Sequence, residues 1–209
     1  MNPSIPPGRP GSWDDFVADC RACTACPLHA SRTQSVVWRG AVTAPLMFIG
    51  EGPGREEDLA GIPFVGRAGR LLDTLLVAQG FPPESFHIGN IVKCRPPENR
   101  VPTEEEAMAC RALLARQILF VRPKILVLLG ATAFRYITGS REGISKARGT
   151  FTEKNGYLMM PTFHPAYILR NERDRILLWQ DLLAVRREME RRGFLLPLPE
   201  VPTSPETRS

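Results

Sequence analysis

The feature that most constrains this chain is its alternation of short apolar runs with longer stretches that are amphipathic at helical spacing. Four runs read as buried strands: Pro45–Gly50 (PLMFIG), Phe86–Val92, Lys124–Leu129 (KILVLL) and Tyr157–Thr162. A short apolar run bounded by turn-forming residues suits a strand covered on both faces. Between the runs lie helical patterns. Trp13–Arg21 follows Ser12, whose hydroxyl is suited to an N-cap. Residues 66–79 carry Leu71, Leu72, Leu75 and Leu76 at helical spacing. Thr103-Glu-Glu-Glu106 is a capping box that opens a helix running to about Phe120. Further helices start near Ala131 and span Arg173–Arg192.

Strands separated by helices predict an α/β fold: a three-layer sandwich with a central, mostly parallel four-stranded sheet flanked by helices. A single domain is expected over residues 12–194. Residues 1–11 are rich in Pro and Gly, and residues 195–209 mix Pro, Ser and Thr, so both read as flexible tails.

A hydrophobic fraction of 43% in 209 residues is enough for a sizeable core. No apolar run reaches the roughly 20 residues that span a bilayer, and the start of the chain lacks the apolar stretch of a signal peptide. A cytoplasmic protein with no membrane association is expected. The net charge of +5 permits a polyanionic partner without requiring one.

In open parallel sheets, ligands bind beyond the carboxyl ends of the strands. The predicted strand ends fall at Gly50-Glu51-Gly52, Asn90, Gly130 and His164, and three of them carry motifs. Gly50-Glu-Gly-Pro-Gly54 lets backbone amides approach a ligand closely. It lacks the third glycine of a dinucleotide fingerprint and the Gly-Lys-Ser/Thr of a P-loop, and an ordinary tight turn also fits it. Phe64, in Gly61-Ile-Pro-Phe-Val-Gly66, is a loop aromatic that either stacks on a flat base, worth roughly 1–3 kcal/mol, or belongs to the core. Asn90 offers an amide donor and acceptor side by side. Uracil presents O4 and N3–H to such an amide, whereas cytosine presents the reverse. His164 is followed by Pro165, which holds its backbone extended at a strand end. The other two histidines, His29 and His87, have poorer settings for chemistry.

Five cysteines without a secretory signal argue against disulfides and raise the question of a ligand set. Cys23-x-x-Cys26 is a ligand-type pair, Cys20 extends it, and Cys94 and Cys110 lie far along the chain. Four thiolates hold either zinc or a [4Fe–4S] cluster, and spacing alone does not choose between them.

The stretches GEGPGREED, GIPFVGRAGRLLD, NIVKCRPPENRVP and FHPAYILR, in this order and in register with the cysteines, resemble the family-four (type-4) uracil-DNA glycosylases. The resemblance runs from about residue 20 to residue 190. It implies a structural [4Fe–4S] cluster on Cys23, Cys26, Cys94 and Cys110, with Cys20 outside the usual four. It also implies a uracil pocket of Gly50, Glu51, Gly52, Phe64, Asn90 and His164. Glu57 matches the position that bars thymine's methyl group. His164 is the implied catalytic residue. Where the wider superfamily often has a water-positioning Asp, this chain has Gly52, which leaves Glu51 as the candidate water organiser.

A related branch traps DNA covalently through a histidine-bearing insertion. The stretch CRPPENRVPTEEE has neither insertion nor histidine, so ordinary turnover is expected. The implied activity is release of uracil from double- or single-stranded DNA by a monomeric, monofunctional enzyme. Lys93, Arg95, Arg100, Arg148 and Arg170 are candidates for phosphate contact, and the loop from His164 to Ile168 for wedging into the duplex. No feature assigns a protein partner such as a sliding clamp. The competing readings are a non-enzymatic DNA- or protein-binding module and a zinc-dependent nucleotide hydrolase. The second lacks an acidic metal set and a deaminase signature.

Overall fold

The computed structural model describes residues 11–197. The two tails expected from sequence lie almost wholly outside them. At the C-terminal side the described chain still makes contacts: Leu195 packs against the core, and the carbonyl of Leu196 accepts a hydrogen bond from Arg186.

Among the described residues six strands form one sheet. They are β1 (Arg39–Gly40), β2 (Leu46–Gly50), β3 (Phe86–Asn90), β4 (Ile125–Leu129), β5 (Thr152–Lys154) and β6 (Tyr157–Thr162). Their order is β1-β3-β2-β4-β6-β5. The middle four are parallel to one another and are the four strands expected from sequence. The sheet nevertheless has six strands, because β1 and β5 add antiparallel edges. These edges span only two and three residues, and β5 is exposed throughout, so neither leaves an apolar pattern to read.

Among the described residues eight helices connect and cover the strands: α1 (Trp13–Ala22), α2 (Arg55–Ala60), α3 (Arg67–Ala78), α4 (Glu104–Val121), α5 (Gly130–Thr138), α6 (Ile144–Ala147), α7 (Pro165–Ile168) and α8 (Arg175–Arg191). Ser12 caps α1 by accepting from the Asp15 amide, and Thr103 caps α4 by accepting from the Glu106 amide. In each case the N3 carboxylate returns a bond to the cap backbone.

Side chains alternate across a strand, and the two halves of the core follow that period. Leu46, Phe48, Ile125, Val127 and Leu129 pack with Leu72, Leu75 and Leu76 of α3 and Leu178, Leu182 and Val185 of α8. The intervening Met47, Ile49, Leu126 and Leu128 pack on the other face with Ala107, Cys110 and Leu114 of α4 and Ala133 and Phe134 of α5. Each fully buried side chain of this size contributes roughly 1.5–3 kcal/mol by leaving water. A smaller cluster of Phe16, Val17, Cys20 and Val37 docks α1 beside α4, with Trp13 edge-on to Trp38 at 5.1 Å.

The chain passes from β2 to β3 on one side, then returns to β4 on the other side of β2. The carboxyl ends of β2 and β4 therefore form the switch point, where open α/β sheets leave a crevice.

Candidate active site and cysteine centre

A cleft with room for about 640 Å³ of solvent opens at that switch point. It is lined by Glu51, Gly52 and Gly54 after β2, by Asn90 at the end of β3, by Gly130 and Thr132 at the start of α5, and by His164 after β6. Phe64 and Glu57 line it as well. The pocket residues expected from sequence are brought together, although they come from four separate stretches of chain.

The register explains the contact. Gly50 pairs with Asn90 across β2 and β3. A Cβ on Gly50 would lie 2.4 Å from Asn90 Oδ1 and 2.6 Å from Phe64 Cζ. Only glycine lets the amide and the ring meet there. Asn90 is 1% exposed, and its Oδ1 has no hydrogen-bond partner. An unpaired buried acceptor costs about 1–3 kcal/mol and is a vacancy for a donor. The Phe64 ring lies 5.6 Å from the His164 ring at 31°. Phe64 also belongs to the core cluster, so the two alternatives open at the sequence level, core residue and cleft wall, both hold. Its φ of 57° is left-handed, a conformation that an aromatic residue adopts only when its surroundings impose it.

His164 accepts a hydrogen bond at Nδ1 from the Ala166 amide, 3.1 Å away, so its proton resides on Nε2. The ring lines the cleft. Burial, with a smaller contribution from the Arg170 charge, pushes its pKa down to about 4, and the imidazole is neutral at pH 7. The segment after it is the short helix α7, capped by His164, rather than the open loop expected from sequence.

Glu51 and Glu57 have defined partners. Glu51 Oε2 accepts from Thr132 Oγ1 at 2.5 Å, bridging the ends of β2 and β4. The Glu57 carboxylate accepts from the amides of Gly54 (3.1 Å) and Gly66 (2.7 Å), tying the two glycine loops together. Sequence reasoning missed Thr132. Its place just beyond the end of β4 is the signal that points to it, because a residue there faces the crevice in this class of sheet.

Two of the five cations considered for phosphate contact are excluded. Lys93 is 1% exposed, and its ammonium is bonded inside the protein to the Asn90 carbonyl and to Gln117. Arg148 is turned onto Asp181 and the Leu177 carbonyl. Arg100 reaches the cleft while paired with Glu106 in a two-pronged ion pair, Arg95 donates to Asn99, and Arg170 lines the cleft on the exposed side.

All five cysteines are free thiols, and together they border a second, narrow hollow with room for about 10 Å³ of solvent. Cys20 and Cys23 belong to the end of α1, Cys26 follows, Cys94 comes after β3 and Cys110 lies on α4. Arg32 Nη1 donates to Cys94 Sγ at 3.0 Å. Burial pushes Cys20 up to about 12 and Cys110 up to about 11, so the thiolates form only when a positive centre displaces their protons. Among the described residues no group of three or more His, Cys, Asp or Glu side chains is placed to hold a single metal ion. The donor set nevertheless suits a larger multi-metal group, because its sulfurs surround one cavity.

The family model of the uracil DNA glycosylase superfamily matches residues 37–183. The chain belongs to that superfamily. A type-4 uracil-DNA glycosylase from Thermotoga maritima is 48% identical over 158 residues, which cover 75% of this chain and 82% of the relative. The type-4 uracil-DNA glycosylase of Saccharolobus solfataricus is 41% identical over 192 residues, covering 87% of this chain and 89% of its own. That of Archaeoglobus fulgidus is 39% identical over 166 residues, covering 76% and 83%. The chain is thus a type-4 member of the uracil-DNA glycosylase superfamily, and its enzyme class is that of the DNA glycosylases. Among the described residues no helix is long and apolar enough to cross a membrane.

Proposed function

We propose that this glycosylase flips deoxyuridine out of DNA and hydrolyses its N-glycosidic bond. The products are free uracil and an abasic site, with no strand cleavage. The observation that carries the reading is the vacant, buried Asn90 Oδ1 at the cleft floor, beside a neutral His164 whose Nε2–H points to no other role. Uracil N3–H is the donor that fills such an acceptor, and the amide nitrogen of Asn90 reaches O4. Cytosine would set its bare N3 against Asn90 Oδ1.

Bond cleavage leaves negative charge on the departing base, chiefly at O2, and an oxocarbenium-like sugar. A fixed donor from His164 Nε2 to O2 is worth roughly 3–4 kcal/mol in the transition state. Water then adds its oxygen to C1′, and the uracil anion takes up a proton. Glu51, held by Thr132, is suited to orient that water, which makes His164 and Glu51 the catalytic pair. Phe64 and the loop from Gly50 to Gly52 embrace the base. Glu57, fixed by two amides, walls the cleft against a methyl at C5. Arg95, Arg100 and Arg170 remain for phosphate contact, and α7 would support the strand from which the base has been flipped.

Cys23, Cys26, Cys94 and Cys110 would hold a [4Fe–4S] cluster, leaving Cys20 as a buried fifth thiol in the same wall. Bound there, the cluster would supply a covalent tie between the end of α1 and the segment from Cys94 to Cys110. The enzyme is read as a monomer, and a cytoplasmic setting suits reduced thiols.

The test is base release from labelled oligonucleotides carrying uracil, thymine, cytosine or hypoxanthine, in single and double strands. Uracil should be released and cytosine should not, and Asn90→Asp should narrow the uracil-to-cytosine ratio by about tenfold or more. No uracil release would overturn the activity. An unchanged ratio would remove Asn90 as the base reader.

A further inference from the structure

Lys93 is a cation placed where a protein seldom keeps one. It ranks among the largest fully buried side chains, in the company of Phe16 and Phe48. Its ammonium donates to two neutral acceptors, the Asn90 carbonyl at 2.8 Å and Gln117 Oε1 at 2.5 Å. Gln117 is itself fixed, donating to the Val37 carbonyl at 3.0 Å and meeting His87 Nε2 at 2.9 Å. His87 is neutral, because burial pushes its pKa down to about 4. Lys93 lines the cavity that the five cysteines border. A charge buried among neutral groups is costly unless an opposite charge lies close by. The cysteine cavity is where that opposite charge must reside. Four thiolates around a [4Fe–4S] core of charge 2+ carry a net charge of 2−.

We propose that Lys93 is the buried counter-charge of the cysteine-held centre and that it couples this centre to base recognition by fixing the main chain of Asn90. The proposal rests on the reading of the cavity as an iron–sulfur site. One side chain then does two things. Its charge offsets that of the centre, and its N–H bond sets the height of Asn90 at the cleft floor. In this role Lys93 is a positioning residue.

The experiment compares the iron-loaded native protein with Lys93→Met, which keeps length and loses charge, and Lys93→Arg, which keeps charge. An anaerobic titration with a chemical reductant, followed by visible absorbance, gives the midpoint potential of the centre. Steady-state uracil release gives KM and kcat. Removing a nearby cation disfavours the added electron, so Lys93→Met should shift the potential in the negative direction. A tenfold change in the reduction equilibrium corresponds to 59 mV for one electron. KM for uracil-containing DNA should rise about tenfold, the scale of one charge-assisted hydrogen bond. Lys93→Arg should hold the potential near the native value. Gln117→Glu sets a carboxylate against the ammonium and should move the potential in the same direction as Lys93→Met, so the question stays open to measurement if a lysine variant fails to load iron. A native-like potential and KM in both Lys93→Met and Lys93→Arg overturns the proposal. So does a native potential in iron-loaded Gln117→Glu. Native protein without iron by elemental analysis would instead overturn the reading of the cavity, a result separable from the other two.

Discussion

In the proposed reaction Asn90 and His164 act through the protons they hold and the partners they lack. Asn90 Oδ1 is buried and vacant, and His164 keeps its proton on Nε2 because the Ala166 amide occupies Nδ1. Replacing His164 by Ala should lower kcat for uracil release by about 100- to 1000-fold, the usual effect of deleting one preorganised donor. The melting temperature should change little, because the ring's hydrogen bond serves only the four-residue helix α7. A native rate in the variant would remove His164 from the mechanism. The native pH–rate profile should also lack an inflection near 6.5, the ordinary histidine value, since His164 titrates only near 4. An inflection at 6.5 that disappears in the alanine variant would contradict this.

At the scale of elements, the loop bearing Phe64 is set by the helix that follows it. Gly69, in the first turn of α3, would place a Cβ 1.8 Å from the Phe64 carbonyl oxygen and 2.6 Å from its Cα. Gly69→Ala therefore cannot be accommodated unless the loop moves. A stability loss of about 1–3 kcal/mol is expected from overpacking. A fall in kcat/KM larger than that stability loss explains is expected too, because Phe64 leaves the Asn90 amide. Urea midpoints and steady-state kinetics check this, and native kinetics would show that the loop is not held by this contact. The major elements were legible in the sequence because each repeats a local period: the caps at Ser12 and Thr103, the leucines of α3, and the apolar runs of β2 and β4. The edge strands β1 and β5 and the short helices α2 and α7 were not legible, because fewer than two turns or four strand residues leave no period to detect.

For the whole molecule, stability depends on protons that the fold refuses. His87 and His164 are both held near 4, against an ordinary value of 6.5. Between those values the unfolded chain binds more protons than the folded one, so stability rises with pH across the window and falls as pH drops from 6.5 toward 4. His87, fully buried, accounts for about 1 kcal/mol of loss at pH 5.5. Urea midpoints at pH 7.5 and 5.5 should differ in that direction, and an equal or higher midpoint at pH 5.5 would overturn the assignment. By itself the sequence determined the order of the major elements, the parallel centre of the sheet, and the strand ends that bear Gly50, Asn90 and His164. Each of these follows from short-range patterning together with the rule that sheet crevices open at strand ends. The tertiary structure alone decided which long cations turn inward. Lys93 and Arg148 read in the sequence like Arg170, yet a flexible stem extends toward solvent or toward a buried partner according to what the fold brings within reach. Asn90, Gln117 and the cysteines stand around Lys93, Asp181 stands beside Arg148, and Arg170 meets the open cleft.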